Sequence, residues 1–284
     1  MNSIQHLIEI ALEEDIGPCD ITTDALIDPQ QEGIGEIIAK EPLVIAGLDI
    51  ARQVFTYLDS EIVFTSEYDD GAVVTKGTSL ANVRGKLRPL LSGERTALNF
   101  LQRLSGIATL VRSYTNELSS KNVRLVDTRK TTPGWRVLEK YAVRVGGAYN
   151  HRMGLYDGVL IKDNHIAAFG DIKAAIVNIR TRISHLLKIE VEVSNLDQVK
   201  QALEAGADVI MLDNMDTDRI KEAADLIGNR AIVEISGNVT IGMLKSLADT
   251  GVDIISVGAL THSARCVDIS MKIHQFSQRR SEKV

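Results

Sequence analysis

Aromatic residues make up only 4% of this 284-residue sequence, with a single tryptophan, and the formal net charge is −6. Few stacking platforms and no basic excess argue against a nucleic-acid groove, since tracking phosphates requires a basic stripe. Cysteine is scarce too. Cys19 and Cys266 are the two present; their spacing suits no metal site, and two reduced thiols are expected. No apolar run approaches the ~20 residues that span a bilayer. The first residues form an amphipathic run with acidic side chains, without the basic start and apolar core of a secretory signal. These absences together predict a cytoplasmic protein with neither membrane nor nucleic-acid partners. What is present is ordinary for a globular chain, 44% hydrophobic and 25% charged, in a length that allows one large domain or two unequal ones.

Ile4 to Glu14 has helical spacing that stops at Gly17-Pro18. Between Gly33 and Gly85, short apolar runs alternate with glycine-bearing turns, and the spacing predicts strands around a helix at Leu48 to Leu58. Nothing places chemistry in that small sheet. Pro89 to Ser120 reads as helix, with a break expected at Ser105-Gly106 and with Arg95 and Arg103 expected on a solvated face. From Val123 the order becomes regular. Strand-like runs at Val123–Asp127, Gly158–Lys162, Leu187–Val193, Asp208–Asp213, Arg230–Ser236 and Val252–Gly258 alternate with helical segments, which implies a parallel sheet covered by helices.

Functional-looking residues stand at the end of every one of these runs. An open sheet uses few strand ends at a switch point, whereas a barrel brings all of them to one face. The pattern therefore favours an α/β fold, an incomplete (β/α) barrel with a smaller N-terminal α+β domain. The division expected is residues 1–110 for the N-terminal domain and 111–266 for the barrel, with a C-terminal helix at about 267–280 packing back on the first.

At the strand ends, Arg129, Lys130, Arg152 and Lys162, with His151, gather positive charge in an acidic chain. Arginine forks hold carboxylate or phosphate through two hydrogen bonds, and lysine acts as a mobile point charge. Structural ion pairs of Arg129 and Arg152 with Asp127 and Asp157 are the plainer alternative. Glu192 and Asp213 end the next two runs, with Glu190 on the same strand face as Glu192; they suit Mg²⁺, sugar hydroxyls or a developing positive charge. Ser236-Gly237-Asn238 and Gly258-Ala259-Leu260 supply late turns whose backbone N–H groups suit phosphate. The residues alone thus describe a phosphorylated sugar beside a multiply anionic small molecule, with a metal between. They do not name a reaction; a lyase using Lys162 as a Schiff-base amine and a non-catalytic phosphate sensor remain open.

At these residues the chain resembles the quinolinate phosphoribosyltransferases. The shared motifs include Glu94-Arg95-Thr96-Ala97-Leu98-Asn99, Asp127-Thr128-Arg129-Lys130-Thr131-Thr132-Pro133-Gly134, Gly146-Gly147-Ala148-Tyr149-Asn150-His151-Arg152, Leu160-Ile161-Lys162-Asp163-Asn164-His165, Glu190-Val191-Glu192-Val193, Leu212-Asp213-Asn214, Glu234-Ile235-Ser236-Gly237-Asn238 and Val257-Gly258-Ala259-Leu260-Thr261-His262. The resemblance runs from about Asp15 to Ile273; Cys19 stands where glycine is expected. It implies that quinolinate and phosphoribosyl pyrophosphate give nicotinate mononucleotide, pyrophosphate and carbon dioxide with Mg²⁺, in de novo NAD biosynthesis. Arg129, His151, Arg152 and Lys162 would then hold the two quinolinate carboxylates, with Thr128 and Lys130 nearby. Glu192 and Asp213 would face ribose and metal, the metal directly or through water or substrate. Ser236, Gly237, Asn238, Val257, Gly258 and Ala259 would bind the 5′-phosphate, with His262 beside them. Lys130, Lys162, Glu192 and Asp213 are the catalytic set so implied. Arg95 would enter the site of a second subunit, making the enzyme a homodimer or a higher oligomer. A paralogue acting on another acid is the nearest rival.

Overall fold

Two periodicities divide the chain. A computed structural model describes residues 3–118 and 122–275. Its elements are, in order, α1 (Ser3–Ile16), α2 (Ile21–Leu26), β1 (Glu32–Ala39), β2 (Leu43–Val44), α3 (Leu48–Leu58), β3 (Val63–Thr65), β4 (Val73–Val74), β5 (Ser79–Lys86) and α4 (Leu87–Leu118). They continue with β6 (Arg124–Val126), α5 (Arg136–Gly146), β7 (Val159–Ile161), α6 (Asp163–Phe169), α7 (Ile172–Arg180), β8 (Ile189–Val193), α8 (Leu196–Glu204), β9 (Val209–Asp213) and α9 (Thr217–Ile227). The last are β10 (Ile232–Ser236), α10 (Leu244–Ala248), β11 (Ile254–Ser256), α11 (Ala259–His262) and β12 (Ile269–Gln275). Two compact units result. One takes the described residues of Met1–Thr109, Val137–Gly146 and Ala264–Val284; the other takes Leu110–Arg136 and Gly147–Ser263.

The first unit is built on an antiparallel sheet in the order β12-β1-β5-β3. Along β1 every second residue is buried, from Gly33 to Ala39, the signature of a sheet with one face on a core. The helix expected at 267–280 is not what forms: Ile269–Gln275 is β12, paired antiparallel with β1 from Gly33↔Gln275 to Ala39↔Ile269. Val267, Ile269 and Met271 are buried while Asp268 and Lys272 are exposed, a period of two that no helix satisfies. The remainder of that stretch and the tail from Gln278 lie outside the described residues.

Helix α4 runs unbroken through Ser105-Gly106, against the expected break. A Cβ on Gly106 would lie 2.0 Å from the Arg265 carbonyl oxygen, so glycine here serves close packing and the helix absorbs its propensity cost. Arg103 is likewise not solvated. Its guanidinium donates to the buried Glu139 at 2.7 and 3.1 Å and to the Ala264 carbonyl at 2.5 Å. That ion pair, together with the Tyr141 hydroxyl donating to Asp70 at 2.5 Å, places most of α5 with the first unit rather than the barrel. Cys19 and Cys266 are exposed free thiols. At the site of the Cys19 departure the turn is intact: Asp20 caps α2 by accepting from the Thr23 N–H at 2.9 Å.

The second unit is a parallel six-stranded sheet in the order β6-β11-β10-β9-β8-β7. A single parallel bridge, Val126↔Tyr149, extends it beyond β6. Among the described residues no strand pairing closes β7 back on that edge, so the barrel is incomplete, as expected. Helices α7, α8 and α9 open on Asp171, Asn195 and Asp216, each accepting from a first-turn N–H at 2.6 to 2.9 Å; such caps contribute about 1 kcal/mol apiece. At the amino ends of the strands, Asp208 accepts from the Ile189 N–H and Asp253 from the Val233 N–H, both at 2.8 Å. Asp208 and Asp253 thus brace the amino ends of the strands, while the ionisable residues of the strand ends stand on the carboxyl side.

Candidate active site

The carboxyl ends of β6 to β11 open into a cavity of about 740 Å³. Its volume lies in the range of small-molecule sites. Four cations converge on it. Arg129 and Lys130 follow β6, Arg152 follows the Tyr149 bridge, and Lys162 follows β7. Each is fixed at its main chain. Arg136 donates to the Arg129 carbonyl at 3.3 Å and also reaches Thr131 Oγ1 at 3.0 Å and the Met153 carbonyl at 3.2 Å. Thr261 Oγ1 donates to the Lys130 carbonyl at 2.7 Å, and the Lys130 N–H donates to Thr128 Oγ1 at 3.1 Å. The Arg152 N–H donates to Nδ1 of His151 at 2.8 Å, and the Lys162 N–H donates to Nδ1 of His165 at 2.9 Å.

Side-chain partners then aim the charges. Arg152 Nη1 donates to the Gly158 carbonyl at 2.9 Å. Burial first, and the charge of Arg129 second, hold Arg152 below the ordinary arginine range, with Glu190 opposing. Two guanidiniums that repel one another in a partly buried cavity form a site stabilised by an anion. Asp127 is fully buried and accepts from Asn150 Nδ2 at 2.7 Å and from the His151 N–H at 2.8 Å, while Asp157 accepts from the Met153 N–H at 2.8 Å. Both aspartates thereby shape the loop that carries His151 and Arg152.

The carboxylates occupy the middle of the sheet. Glu192 on β8 and Asp213 on β9 both line the cavity. Glu192 Oε2 accepts from Lys162 Nζ at 2.5 Å, and Asp213 Oδ2 accepts from Asn214 Nδ2 at 2.8 Å. The register pairs Glu192 with Met211 and Met211 with Glu234, which makes Glu192 and Glu234 members of one layer. Glu190 and Glu234 are buried, and His151 Nε2 lies 3.1 Å from Glu190 Oε2 and 3.6 Å from Glu234 Oε1. Burial, reinforced by the Glu190 charge, pushes the Glu234 carboxyl up to about 8.

The last two turns close the cavity. Gly237 has φ +99°, and a Cβ there would lie 2.3 Å from Asn214 Oδ1; Asn238 Nδ2 donates to the same oxygen at 3.3 Å. Asn214 and Asn238 both adopt positive φ, a conformation asparagine tolerates better than most residues. The loops after β9 and β10 therefore interlock. Gly258 is glycine for closeness, since a Cβ would meet Lys130 Cδ at 2.9 Å and the His262 ring at 3.2 Å.

Thr128, Ser236, Val257, Ala259 and His262 also line the cavity, so every expected substrate-binding residue but one is gathered there. The exception is Arg95, exposed on α4 and not part of that lining. Glu234, Asn214, Thr240 and Ser256 line it without having been assigned a role from sequence. Parity along β10 and β11 would have found Glu234 and Ser256, two residues from or level with recognised strand-end positions.

Comparison with known proteins decides the family. Residues 20–105 match the quinolinate phosphoribosyl transferase N-terminal domain, and residues 107–272 match the C-terminal domain of the same family. The chain belongs to the quinolinate phosphoribosyltransferase family. It is 48% identical over 265 residues to a Synechocystis protein named "Probable nicotinate-nucleotide pyrophosphorylase (carboxylating)", covering 92% of this chain and 90% of that one. A Bacillus subtilis protein of the same name is 44% identical over 275 residues, with 96% and 95% covered. The crystal structure of NadC from Streptococcus pyogenes superposes with a TM-score of 0.92 at 42% identity, covering 96% of this chain and 97% of that one.

Proposed function

We propose that the cavity holds quinolinate beside phosphoribosyl pyrophosphate and joins them to give nicotinate mononucleotide, pyrophosphate and carbon dioxide, a step of de novo NAD biosynthesis. Family membership supports the reaction. The observation that carries the division of labour is the convergence of Arg129 and Arg152 on one cavity, where a dianion relieves their like charge. Arg129 and Arg152 take the two carboxylates of quinolinate, and Lys162, with Lys130 nearby, completes the positive field. The Gly237, Asn238, Gly258 and Ala259 turns present main-chain N–H groups to the 5′-phosphate, beside Ser236, Val257 and His262. Arg95, exposed on α4, serves the site of a second copy, and the enzyme works as a homodimer or a larger oligomer in the cytoplasm.

The chemistry follows from charge. As pyrophosphate departs, positive charge develops at the ribose carbon, and Glu192 and Asp213 stabilise it while the quinolinate nitrogen forms the new bond. Loss of carbon dioxide then leaves negative charge on the pyridine ring, which Lys130, Lys162 and the arginines stabilise until a proton replaces the departed carboxylate. The donor set fits Mg²⁺: two hard carboxylates, each with one oxygen outside the bonds to Lys162 and Asn214, suit an ion that keeps waters and substrate phosphates as its other ligands. Glu192 and Asp213 would hold it, directly or through water or substrate. Bound there, Mg²⁺ supplies charge neutralisation for the leaving pyrophosphate. No helix among the described residues is long and apolar enough to cross a membrane.

The test is formation of nicotinate mononucleotide from quinolinate, with nicotinate as the competing acid and with Mg²⁺ removed and restored. Turnover of quinolinate that vanishes on chelation and returns with the ion is expected. Turnover of nicotinate in its place would overturn the substrate assignment.

A further inference from the structure

Arg136 stands outside the cavity lining, as do Thr131 and Met153, yet its guanidinium holds both loops that carry the arginines of the site. Nε donates to Thr131 Oγ1 at 3.0 Å, Nη2 to the Arg129 carbonyl at 3.3 Å and Nη1 to the Met153 carbonyl at 3.2 Å. The first two acceptors belong to the loop after β6. The third belongs to the residue directly after Arg152. One planar group therefore bridges the main chain at Arg129 to the main chain beside Arg152.

The local sequence brings Arg136 to that position. In Thr132-Pro133-Gly134-Trp135 the Trp135 N–H donates to the Thr132 carbonyl at 3.0 Å, and Gly134 has φ +81°. Proline second and glycine third are the residues such a turn requires. The turn folds the chain back, so that Arg136, the first residue of α5, meets the loop it has just left. Both ends of the bridge are held independently. The Thr131 N–H also donates to the Arg129 carbonyl, at 2.9 Å, and the Met153 N–H donates to Asp157 Oδ2 at 2.8 Å. All three acceptors of Arg136 are neutral oxygens, so the work of the group is geometric: it fixes how far the two loops stand apart. Arginine presents its N–H groups in a rigid fork, whereas lysine offers its donors from one nitrogen on a flexible stem. A lysine here would satisfy one loop and leave the other loose.

We propose that Arg136 is a positioning residue that sets the separation of Arg129 and Arg152, and so makes the cavity prefer an acid with two adjacent carboxylates over one with a single carboxylate. The inference rests on the carboxylate-binding roles of Arg129 and Arg152 given above. A monocarboxylate engages one fork and is indifferent to the distance to the next. A rigid dicarboxylate needs both forks in place at once. Loosening the bridge therefore weakens the dicarboxylate selectively, and it leaves the phosphoribosyl turns untouched.

The test uses the full-length enzyme. Calorimetric titration gives Kd for quinolinate and for nicotinate, and steady-state kinetics give KM for phosphoribosyl pyrophosphate. Arg136→Lys and Arg136→Met are each expected to weaken quinolinate about tenfold, while the nicotinate Kd and the phosphoribosyl pyrophosphate KM stay within about twofold. Arg136→Lys decides between geometry and charge, because it keeps the cation and loses the fork. Thr131→Val stands in if the Arg136 variants fail to fold: it removes the Nε acceptor alone and is expected to weaken quinolinate about threefold with nicotinate unchanged. Parallel losses for both acids, or an Arg136→Lys enzyme equal to wild type, would overturn the proposal. So would a Thr131→Val enzyme that binds quinolinate as wild type does. Binding is read without turnover, which separates the two levels of the argument. Wild-type enzyme that holds no quinolinate would sink the functional reading and this inference together, whereas wild-type binding with unaltered variants would sink this inference alone.

Discussion

Lys162 Nζ lies 2.5 Å from Glu192 Oε2, joining the residue that follows β7 to the carboxyl end of β8 in the lining of the cavity. The lysine is more exposed than the glutamate, 40% against 12% at the side chain. Lys162 can therefore swing toward a substrate anion while Glu192 stays in place, and in the reaction above the pair separates into one group for each substrate. Lys162→Met and Glu192→Gln are each expected to lower kcat/KM by about a hundredfold or more, with the double variant losing less than the product of the two. Strictly multiplicative losses in a double-mutant cycle would show that the two act independently.

The interlocked turns after β9 and β10 make a second expectation. Gly237→Ala places a methyl group where Asn214 Oδ1 already stands and forces a side chain onto φ +99°, a strain of about 1–3 kcal/mol. The thermal midpoint should fall, and KM for phosphoribosyl pyrophosphate should rise by about tenfold while KM for quinolinate changes little. A larger effect on the quinolinate KM would move the phosphate away from this turn.

Arg95 is tested by mixing. Under the proposed shared site, in which Arg95 serves the neighbour and Arg129 its own chain, Arg95→Ala and Arg129→Ala are each expected to abolish turnover. Mixed dimers of the two should regain part of the activity, since one of their two sites then has both arginines. Verified mixed dimers with no recovered turnover would remove the shared site.

Glu234 ties stability to pH. Its carboxyl is pushed up to about 8 in the folded chain from an ordinary 4.5. Between those values the folded protein keeps a proton that the unfolded chain has released, so its contribution is fully present below the lower value and is lost as pH rises through the upper one. Glu234→Gln, which cannot titrate, should flatten the fall in thermal midpoint from mildly acid to mildly alkaline pH. An unchanged slope would place the titrating group elsewhere.

How much of this was legible depended on the range of the interaction. The strand ends of β8 and β9 could be read because Glu192 and Asp213 follow apolar runs of their own, a local pattern. The Arg103–Glu139 pair could not, since nothing in either neighbourhood says that a helix arginine will meet a buried carboxylate. Gly106 misled for the same reason: its propensity predicts a break, and the carbonyl of Arg265 that explains the glycine lies far along the chain. β12 is a different case. Its period of two was visible in Val267, Ile269 and Met271, but a short terminal run gives little contrast between helix and strand until its partner is known. His151 was recognised as a site residue from its motif, yet the atoms its ring meets, the Arg152 N–H at Nδ1 and Glu190 beside Nε2, are set by the fold, and spacing carries no such information.

The pairing of β12 with β1 has a consequence for how the protein is made. The register sets Ile37 against Met271, so a long stretch of chain, the whole parallel sheet included, is made between one strand and its partner. Throughout the interval the outer edge of β1 presents open hydrogen-bonding groups, the kind of edge that recruits the wrong partner. Nascent chains halted before Ile269 should therefore be prone to aggregation and dependent on chaperones, and β12 acts as the latch that ends that exposure.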